Sequence, residues 1–301
     1  MDSILNERRL LSTLKYRYLV NMAFAFQDRT SLYLVMNLME GGDLRYHIAK
    51  KHKFTEMETR FLVATIILSL EYLHKKMIIH RDVKPENIVF DERGNLLANE
   101  GYAHLTDLGI AKYLKAENYQ DTSGTPGYMA PEVMFHHNHR FEVDFFAVGV
   151  IVYEIMMGRR PYLGKNRQEI KELILVRQAI IRKNDIPENW SIESADFANK
   201  LLQRKPIKRL GWGGIRELKD HKWLRNFPWR ELASQELESP FKQKYNPLEV
   251  RYRVTELETQ FKKLLNKNRE MLQKGNLQEY FGGYTYEGDS PELSRSTYLI
   301  K

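Results

Sequence analysis

The chain has 301 residues, of which 43% are hydrophobic, no cysteine, and a formal net charge of +8. This composition fits one folded domain with an extension, and it excludes disulfides and thiolate metal sites. Lysine and arginine are dispersed among acidic residues rather than grouped in a basic block, so the charge does not predict nucleic-acid binding. The longest apolar runs, at 61–70 and 145–157, are too short for a membrane span and are expected to form core helices.

The first predicted element in chain order is a helix over 3–13, followed by strands at about 18–26 and 32–37. The remainder is predicted to be mainly helical, apart from two short paired strands at 87–91 and 103–106. This order predicts an α+β fold.

The segment His80–Asn87 reads His-Arg-Asp-Val-Lys-Pro-Glu-Asn and carries a recognisable set of chemical groups. A carboxylate such as Asp82 can orient an attacking hydroxyl and take its proton. Lys84 can neutralise charge on a phosphoryl group, and the amide of Asn87 is a candidate magnesium ligand. Taken singly, each of these residues could instead have a purely structural role, as a helix cap or a turn residue.

Two further motifs follow in the same order. Thr106-Asp107-Leu108-Gly109 supplies a second candidate magnesium ligand in Asp107, and Ala130-Pro131-Glu132 closes the segment. The three motifs together, at these separations, predict phosphoryl transfer.

With these motifs, the chain resembles the eukaryotic serine/threonine protein kinases of the AGC group, which includes the cyclic-nucleotide-dependent kinases. The resemblance covers nearly the whole chain. It implies a two-lobed kinase fold with a partial N-lobe at 1–37 (the C-helix and the fourth and fifth strands), a C-lobe at 38–229 and a C-terminal tail at 230–301. It also implies ATP and Mg²⁺ as cofactors and proteins as substrates.

The resemblance implies a nucleotide site between the lobes. Glu7 would lie in the C-helix and pair with a strand lysine, Met36 would be the gatekeeper, and Asp43 would bind the ribose. The other residues implied are the hinge around Asn37 and Met39, which binds adenine, and Val89, which lies beneath it.

Other positions follow from the same resemblance. Lys84 and Thr125 favour serine or threonine as the acceptor, and Glu86 and Glu154 lie where related kinases recognise basic substrates. The implied structural residues are Asp144, which holds the catalytic loop, and the ion pair of Glu132 with Arg209.

The activation segment, from Asp107 to Glu132, departs from the pattern of the group. A phosphothreonine that pairs with Arg81 is expected three residues before Gly124, where this chain has Asp121 with Thr122 beside it. Either Asp121 supplies a fixed charge, or the segment shifts by one residue and Thr122 is phosphorylated. The segment is one residue longer than usual, which slightly favours Thr122.

Residues 280–286, Tyr-Phe-Gly-Gly-Tyr-Thr-Tyr, resemble the hydrophobic motif of the group. The resemblance implies that its aromatic residues dock beside the C-helix and that Thr285 is a phosphorylation site. The alternative is a disordered tail that bears aromatic residues.

No glycine-rich nucleotide loop and no strand lysine lie between Met1 and the catalytic loop. The two strands would then form only a hairpin with an open edge. Three explanations compete: a fragment of an ordinary kinase, a pseudokinase scaffold or decoy, and a structural protein that binds nucleotide weakly. The intact Asp82, Asn87 and Asp107 favour the first, with weak or no phosphotransfer expected from this chain alone.

The expected location is intracellular, in the cytoplasm or nucleus, because cysteine is absent and Asp2 and Glu7 interrupt any signal sequence. An upstream kinase is an expected partner. The specific substrate, any second messenger and the oligomeric state do not follow from the sequence.

Overall fold

The computed structural model describes residues 2–28, 31–51, 54–91, 101–116, 120–241 and 283–288. In these ranges the helices are α1 Asp2–Thr13, α2 Leu44–Lys51, α3 Glu56–Lys75, α4 Pro131–Met134, α5 Glu142–Met157, α6 Arg167–Val176, α7 Ile192–Leu201, α8 Arg216–Asp220 and α9 Trp229–Ser234. The strands are β1 Met22–Gln27, β2 Leu32–Met36, β3 Ile78–Ile79, β4 Ile88–Phe90, β5 Ala103–Leu105, β6 Lys112–Tyr113 and β7 Tyr286–Glu287. Short 3₁₀ turns cover Pro85–Asn87, Lys183–Asp185 and Pro206–Lys208. The α+β prediction is confirmed.

The small lobe consists of α1 and a three-stranded antiparallel sheet in the order β2-β1-β7. In the β1–β7 pair, Phe24 lies opposite Glu287 and Ala25 lies opposite Tyr286. The prediction of an isolated hairpin is therefore wrong, because a segment near the end of the chain supplies a third strand along β1. This pairing satisfies backbone groups that an open edge would leave exposed.

The first strand begins at Met22, not at residue 18 as the sequence predicted. Tyr18 and Val20 instead bond the backbone of Leu105 in the large lobe, each at 3.0 Å. Leu19 forms a parallel bridge with Leu105 at the same place. The residues before β1 thus join the two lobes rather than extending the small sheet.

The large lobe is built around α3 and α5, which pack against each other. Thr55 and Glu58 form a capping box that fixes the start of α3. Every residue of α5 from Glu142 to Met156 is buried. No helix in the described part of the chain is long and apolar enough to cross a membrane.

Two small antiparallel pairs, β3 with β6 and β4 with β5, support the loops between the lobes. Gly41 is bonded to the carbonyl of Phe90 at 2.9 Å, and a Cβ at this glycine would lie 2.7 Å from the Asp91 carbonyl oxygen. Only glycine permits this close approach, which fixes the connection between the lobes against β4.

The helix α9 and the segment after it are fastened by two tyrosine hydroxyls. The hydroxyls of Tyr18 and Tyr102 donate to the carbonyls of Leu232 and Leu237. Phe241 then inserts its ring among three other aromatic rings, at centroid distances of 5.0 to 6.3 Å, namely those of Phe54, Phe61 and Phe90.

Candidate active site

The loop after β3 is held by a carboxylate from the buried helix α5. The Asp144 side chain accepts the backbone N–H groups of His80 at 3.0 Å and Arg81 at 2.8 Å. Nε2 of His74 lies 2.8 Å from the same carboxylate. Arg81 has a φ of 69°, a conformation unfavourable for a long side chain, and the bonds to Asp144 hold it there.

Asp82 lies at the centre of a network of hydrogen bonds. One carboxylate oxygen accepts the backbone N–H of Thr125 at 2.9 Å and its hydroxyl at 2.7 Å. The other accepts Nζ of Lys84 at 2.5 Å and Nδ2 of Asn87 at 3.2 Å. Burial alone would raise the pKa of Asp82, but the bonds from Lys84 and Thr125 outweigh it and lower the pKa. Asp82 is therefore an oriented carboxylate that stays ionised near neutral pH.

Thr125 reaches the Asp82 carboxylate because the backbone at the preceding Gly124 lies close to the catalytic loop. Gly124 has a φ of 132°, and a Cβ there would lie 2.8 Å from the carbonyl oxygen of Arg81. The activation segment and the catalytic loop can approach this closely only with glycine at this position.

Asn87 and Asp107 are brought together by the pairing of β4 with β5. The backbone N–H of Thr106 donates to the carbonyl of Asn87 at 3.0 Å, at the end of this pair. The Asn87 amide nitrogen donates to Asp82, so its oxygen remains as an acceptor. A carboxylate and an amide oxygen suit Mg²⁺, which prefers hard oxygen ligands. The residues present therefore fit this ion.

Glu7 on α1 lies beside Asp107. Burial and the negative charge of Asp107 raise the pKa of Glu7 to about 7, although the backbone N–H of Leu108 acts in the opposite direction. No cation in the described ranges pairs with Glu7. Two further side chains of α1 fasten the same segment, since Ser3 donates to the Gly109 carbonyl at 2.5 Å and Asn6 donates to the Ala111 carbonyl at 2.7 Å.

The predicted nucleotide-binding residues lie along the connection between the lobes. Met36 ends β2 opposite Met22, and the N–H of Asn37 donates to the carbonyl of Asn21 at 3.0 Å. Within the described residues, the backbone N–H and C=O groups of Met39 make no hydrogen bond to the chain. They are therefore candidates to form hydrogen bonds with adenine.

Asp43 and Val89 form an antiparallel bridge below this connection. Asp43 also accepts the backbone N–H of Tyr46 at 2.7 Å and so caps the start of α2. The structure thus gives this carboxylate a structural task that the resemblance did not imply.

The activation segment is fastened through Asp121. Its carboxylate accepts Nη1 of Arg81 and Nζ of Lys112, each at 2.7 Å. Thr122 does not occupy this position, and its carbonyl lies 3.5 Å from Nη1 of Arg167. In this structure, Asp121 is the residue that faces Arg81.

Glu132 and Arg209 form a buried ion pair, with Nη1–Oε1 at 2.5 Å and Nη2–Oε2 at 2.9 Å. Arg209 also donates to the carbonyls of Gln203 and Glu142. Because both side chains are buried and fully bonded, the pair fixes the end of the activation segment to the large lobe.

Glu86 and Glu154 lie close enough to share one cation, which is Arg45 of α2. Nε of Arg45 is 2.8 Å from Glu86, and Nη1 is 2.9 Å from Glu154. Tyr128 completes the group, donating to Glu154 at 2.5 Å.

The end of the predicted hydrophobic motif docks on α1. Arg8 donates to the carbonyls of Gly283, Tyr284 and Thr285 at 2.7 to 2.9 Å. Tyr284 is buried and Thr285 is exposed. The alternative of a disordered tail is therefore wrong for residues 283–288, while 280–282 lie outside the described residues.

Sequence reasoning missed several of these contacts. No motif in the sequence distinguishes Arg8, Arg45 or Lys112 from the other lysines and arginines. One signal was present for Arg45, because it follows Asp43 by two residues and so lies in the first turn of a helix beside the predicted ribose site. The residues missed altogether are Ser3, Asn6, Arg8, Arg45, Lys112 and Tyr128.

A family model described as the protein kinase domain matches residues 1–224. A probable serine/threonine-protein kinase of Dictyostelium discoideum is 37% identical over 239 residues, which are 79% of this chain and 50% of that protein. A rhodopsin kinase of Rattus norvegicus is 39% identical over 246 residues, 78% of this chain and 42% of the relative. Ribosomal protein S6 kinase alpha-2 of Mus musculus is 35% identical over 240 residues, 78% and 31% respectively. The chain thus spans half or less of the length of these curated relatives.

Proposed function

The chain belongs to the protein kinase family, in the AGC group of eukaryotic serine/threonine kinases, and we propose that it transfers the γ-phosphoryl group of ATP to serine and threonine hydroxyls of proteins. The observation that carries the proposal is the orientation of Asp82 by Lys84, Asn87 and Thr125. The match to the protein kinase domain and to serine/threonine kinases favours catalysis over a scaffold.

Asp82 is proposed to accept a hydrogen bond from the acceptor hydroxyl and to take its proton. The lowered pKa keeps this group ionised, as a proton acceptor must be. Lys84 and Thr125 hold the carboxylate in place, and Lys84 also brings a positive charge to the point where phosphoryl oxygens would lie.

Asn87 and Asp107 are proposed to hold Mg²⁺, which, when bound, neutralises charge on the phosphates of ATP. The pairing of β4 with β5 supports this assignment, since it brings the two residues to the same end of the pair. ATP itself is proposed to lie against the connection between the lobes. The residues expected to contact it are Met36, Asn37, Met39, Asp43 and Val89, with Glu7 behind them.

Regulation is proposed to depend on Asp121, which supplies a fixed negative charge to Arg81 without phosphorylation. Phosphorylation of Thr285 by another kinase remains a proposal, supported by the exposure of this residue on a docked segment. We also propose an intracellular location, because the cell interior supplies the ATP that the reaction needs.

The proposal is tested by Asp82→Asn in the protein as its own cells make it. Loss of one oriented proton acceptor is expected to lower kcat by roughly 10²–10⁴-fold. Phosphate transfer to a mixture of protein substrates is measured with radiolabelled ATP, with the exposed His136→Asn as the control substitution. Equal activity of the wild type and the Asp82 variant would contradict the proposal.

A further inference from the structure

Four side chains form a compact charged cluster beside Asp82: Arg45, Glu86, Tyr128 and Glu154. The Arg45 guanidinium donates to Glu86 at 2.8 Å, to Glu154 at 2.9 and 3.4 Å, and to the Tyr128 hydroxyl. The Tyr128 hydroxyl in turn donates a hydrogen bond to Glu154 at 2.5 Å. All three nitrogens of the guanidinium therefore have partners within the chain.

Burial shows how the cluster is layered. The side chain of Glu154 is 8% exposed, that of Arg45 is 30% exposed, and that of Glu86 is 44% exposed. Arg45 thus lies between the buried Glu154 and solvent. A cation that arrives from outside meets the half-exposed Glu86, while Arg45 already occupies the bidentate position on Glu154.

The cluster borders the place where an acceptor hydroxyl must lie. Glu86 stands between Lys84 and Asn87, whose side chains both bond Asp82. The backbone N–H of Tyr128 donates to the carbonyl of Thr125 at 2.9 Å, and Thr125 also bonds Asp82. An extended peptide advances about 3.3–3.6 Å per residue, so residues within a few positions of the acceptor would pass over this cluster.

We propose that Arg45 sets the substrate preference of this site, because it fills the acidic subsite of Glu86 and Glu154 with the chain's own guanidinium. The proposal rests on the proposed kinase function. Two free carboxylates would attract a basic side chain, whereas Arg45 neutralises one of the two charges and repels a second guanidinium. The substrates are then protein segments that need no arginine near the acceptor residue, in contrast to the basic preference that Glu86 and Glu154 alone predicted.

The test compares peptide binding to the wild-type protein and to Arg45→Met, which keeps the length of the side chain but removes its charge. A serine peptide series carries one arginine at each of the four positions on either side of the serine, and a matched series carries glutamine instead. Affinity is measured by fluorescence anisotropy at low ionic strength, because salt screens partly exposed charges. Arg216→Met is the matched control, since Arg216 is 92% exposed and its partner among the described residues is Asp220.

The wild type and the control are expected to bind the arginine and glutamine peptides within about twofold of each other. Arg45→Met is expected to gain a preference of about tenfold or more, or about 1.4 kcal/mol, for arginine at one position. A tenfold arginine preference already present in the wild type would overturn the proposal.

A second measurement guards against misfolding of the variant. Methylguanidinium at millimolar concentration is expected to raise the melting temperature of Arg45→Met but not that of Arg216→Met, because only the former has a vacated subsite. Absence of both the peptide preference and the methylguanidinium effect would reject the role of Arg45. Binding preference without any phosphorylation would instead reject the kinase function and leave the occupied subsite standing.

Discussion

Single side chains decide how the activation segment is held. Burial alone would raise the pKa of Asp121, but bonds from Lys112 and Arg81 lower it below its ordinary value of 3.8. A carboxylate whose pKa is lower in the folded than in the unfolded protein stabilises the fold at any pH above its unfolded pKa. This stabilisation is lost as the pH falls through the pKa of the folded protein. The Arg81–Asp121 contact is therefore expected to be intact throughout the neutral range.

In the protein as its own cells make it, Asp121→Ala is expected to reduce phosphotransfer by about tenfold or more, because it leaves the nearly buried Arg81 without its charged partner. The rate is measured with a protein substrate between pH 6 and 8, and the loss should be the same across that range. Thr122→Ala is the matched control, with activity expected to stay within about twofold. A large loss with Thr122→Ala alone would instead show that Thr122 is the phosphorylated control point.

Residues within a local motif could be predicted, and residues that meet across the fold could not. Asp82, Asn87 and Asp107 stand in short patterns whose chemistry is readable from spacing. Arg45 lies 41 residues from Glu86 and 109 residues from Glu154, and no local pattern joins them. That Asp121 rather than Thr122 contacts Arg81 could be seen only in the fold, because a one-residue difference in segment length cannot be resolved by counting.

At the level of elements, α1 joins the tail to the catalytic region. One face of the helix bonds the segment after Asp107 through Ser3 and Asn6, and Arg8 bonds the tail. The tail adds β7 to β1 and buries Tyr284. Movement of α1 would therefore disturb both contacts together.

Arg8→Ala is expected to release residues 283–288, because Arg8 donates three hydrogen bonds to carbonyls of that segment. Each charge-assisted bond is worth roughly 1.5–3 kcal/mol, so amide exchange at Tyr286 and Gly288 should be at least about tenfold faster. Hydrogen–deuterium exchange measures this, with the exposed Arg9→Ala on the same helix as control. Unchanged exchange in Arg8→Ala would show that the strand pairing alone holds the tail.

Helices and strands with a strong periodic pattern were predicted. Strands that pair with residues far away in the sequence were missed or misplaced. The helix at 3–13 and the strand pair near the catalytic loop were placed within a few residues of the observed bounds. The start of β1 was wrong because residues 18–20, although apolar, pair with Leu105. β7 could not be predicted as the partner of β1, since two residues carry too little pattern to identify a strand so far along the chain.

At the scale of the whole molecule, Phe241 anchors the segment after α9 to the large lobe. Phe241 is 5% exposed and contacts three aromatic rings that come from separate parts of the lobe. Removal of a buried aromatic side chain leaves a cavity as well as losing the transfer free energy.

Phe241→Ala is expected to lower the free energy of unfolding by about 3–5 kcal/mol. Urea denaturation followed by tryptophan fluorescence measures the change. Ile207→Ala is the control, because Ile207 is 68% exposed and should change stability by about 0.5 kcal/mol or less. A similar loss in both variants would mean that the aromatic contacts of Phe241 contribute nothing specific.

The strand that covers β1 has a consequence for how the protein is made. Arg8 and its partner Tyr284 are 276 residues apart. At 5–20 residues per second, the ribosome needs on the order of 15 to 55 s to deliver the second after the first. During that interval β1 lacks the pairing with β7, so this part of the small sheet can form only after residues 286 and 287 have been made.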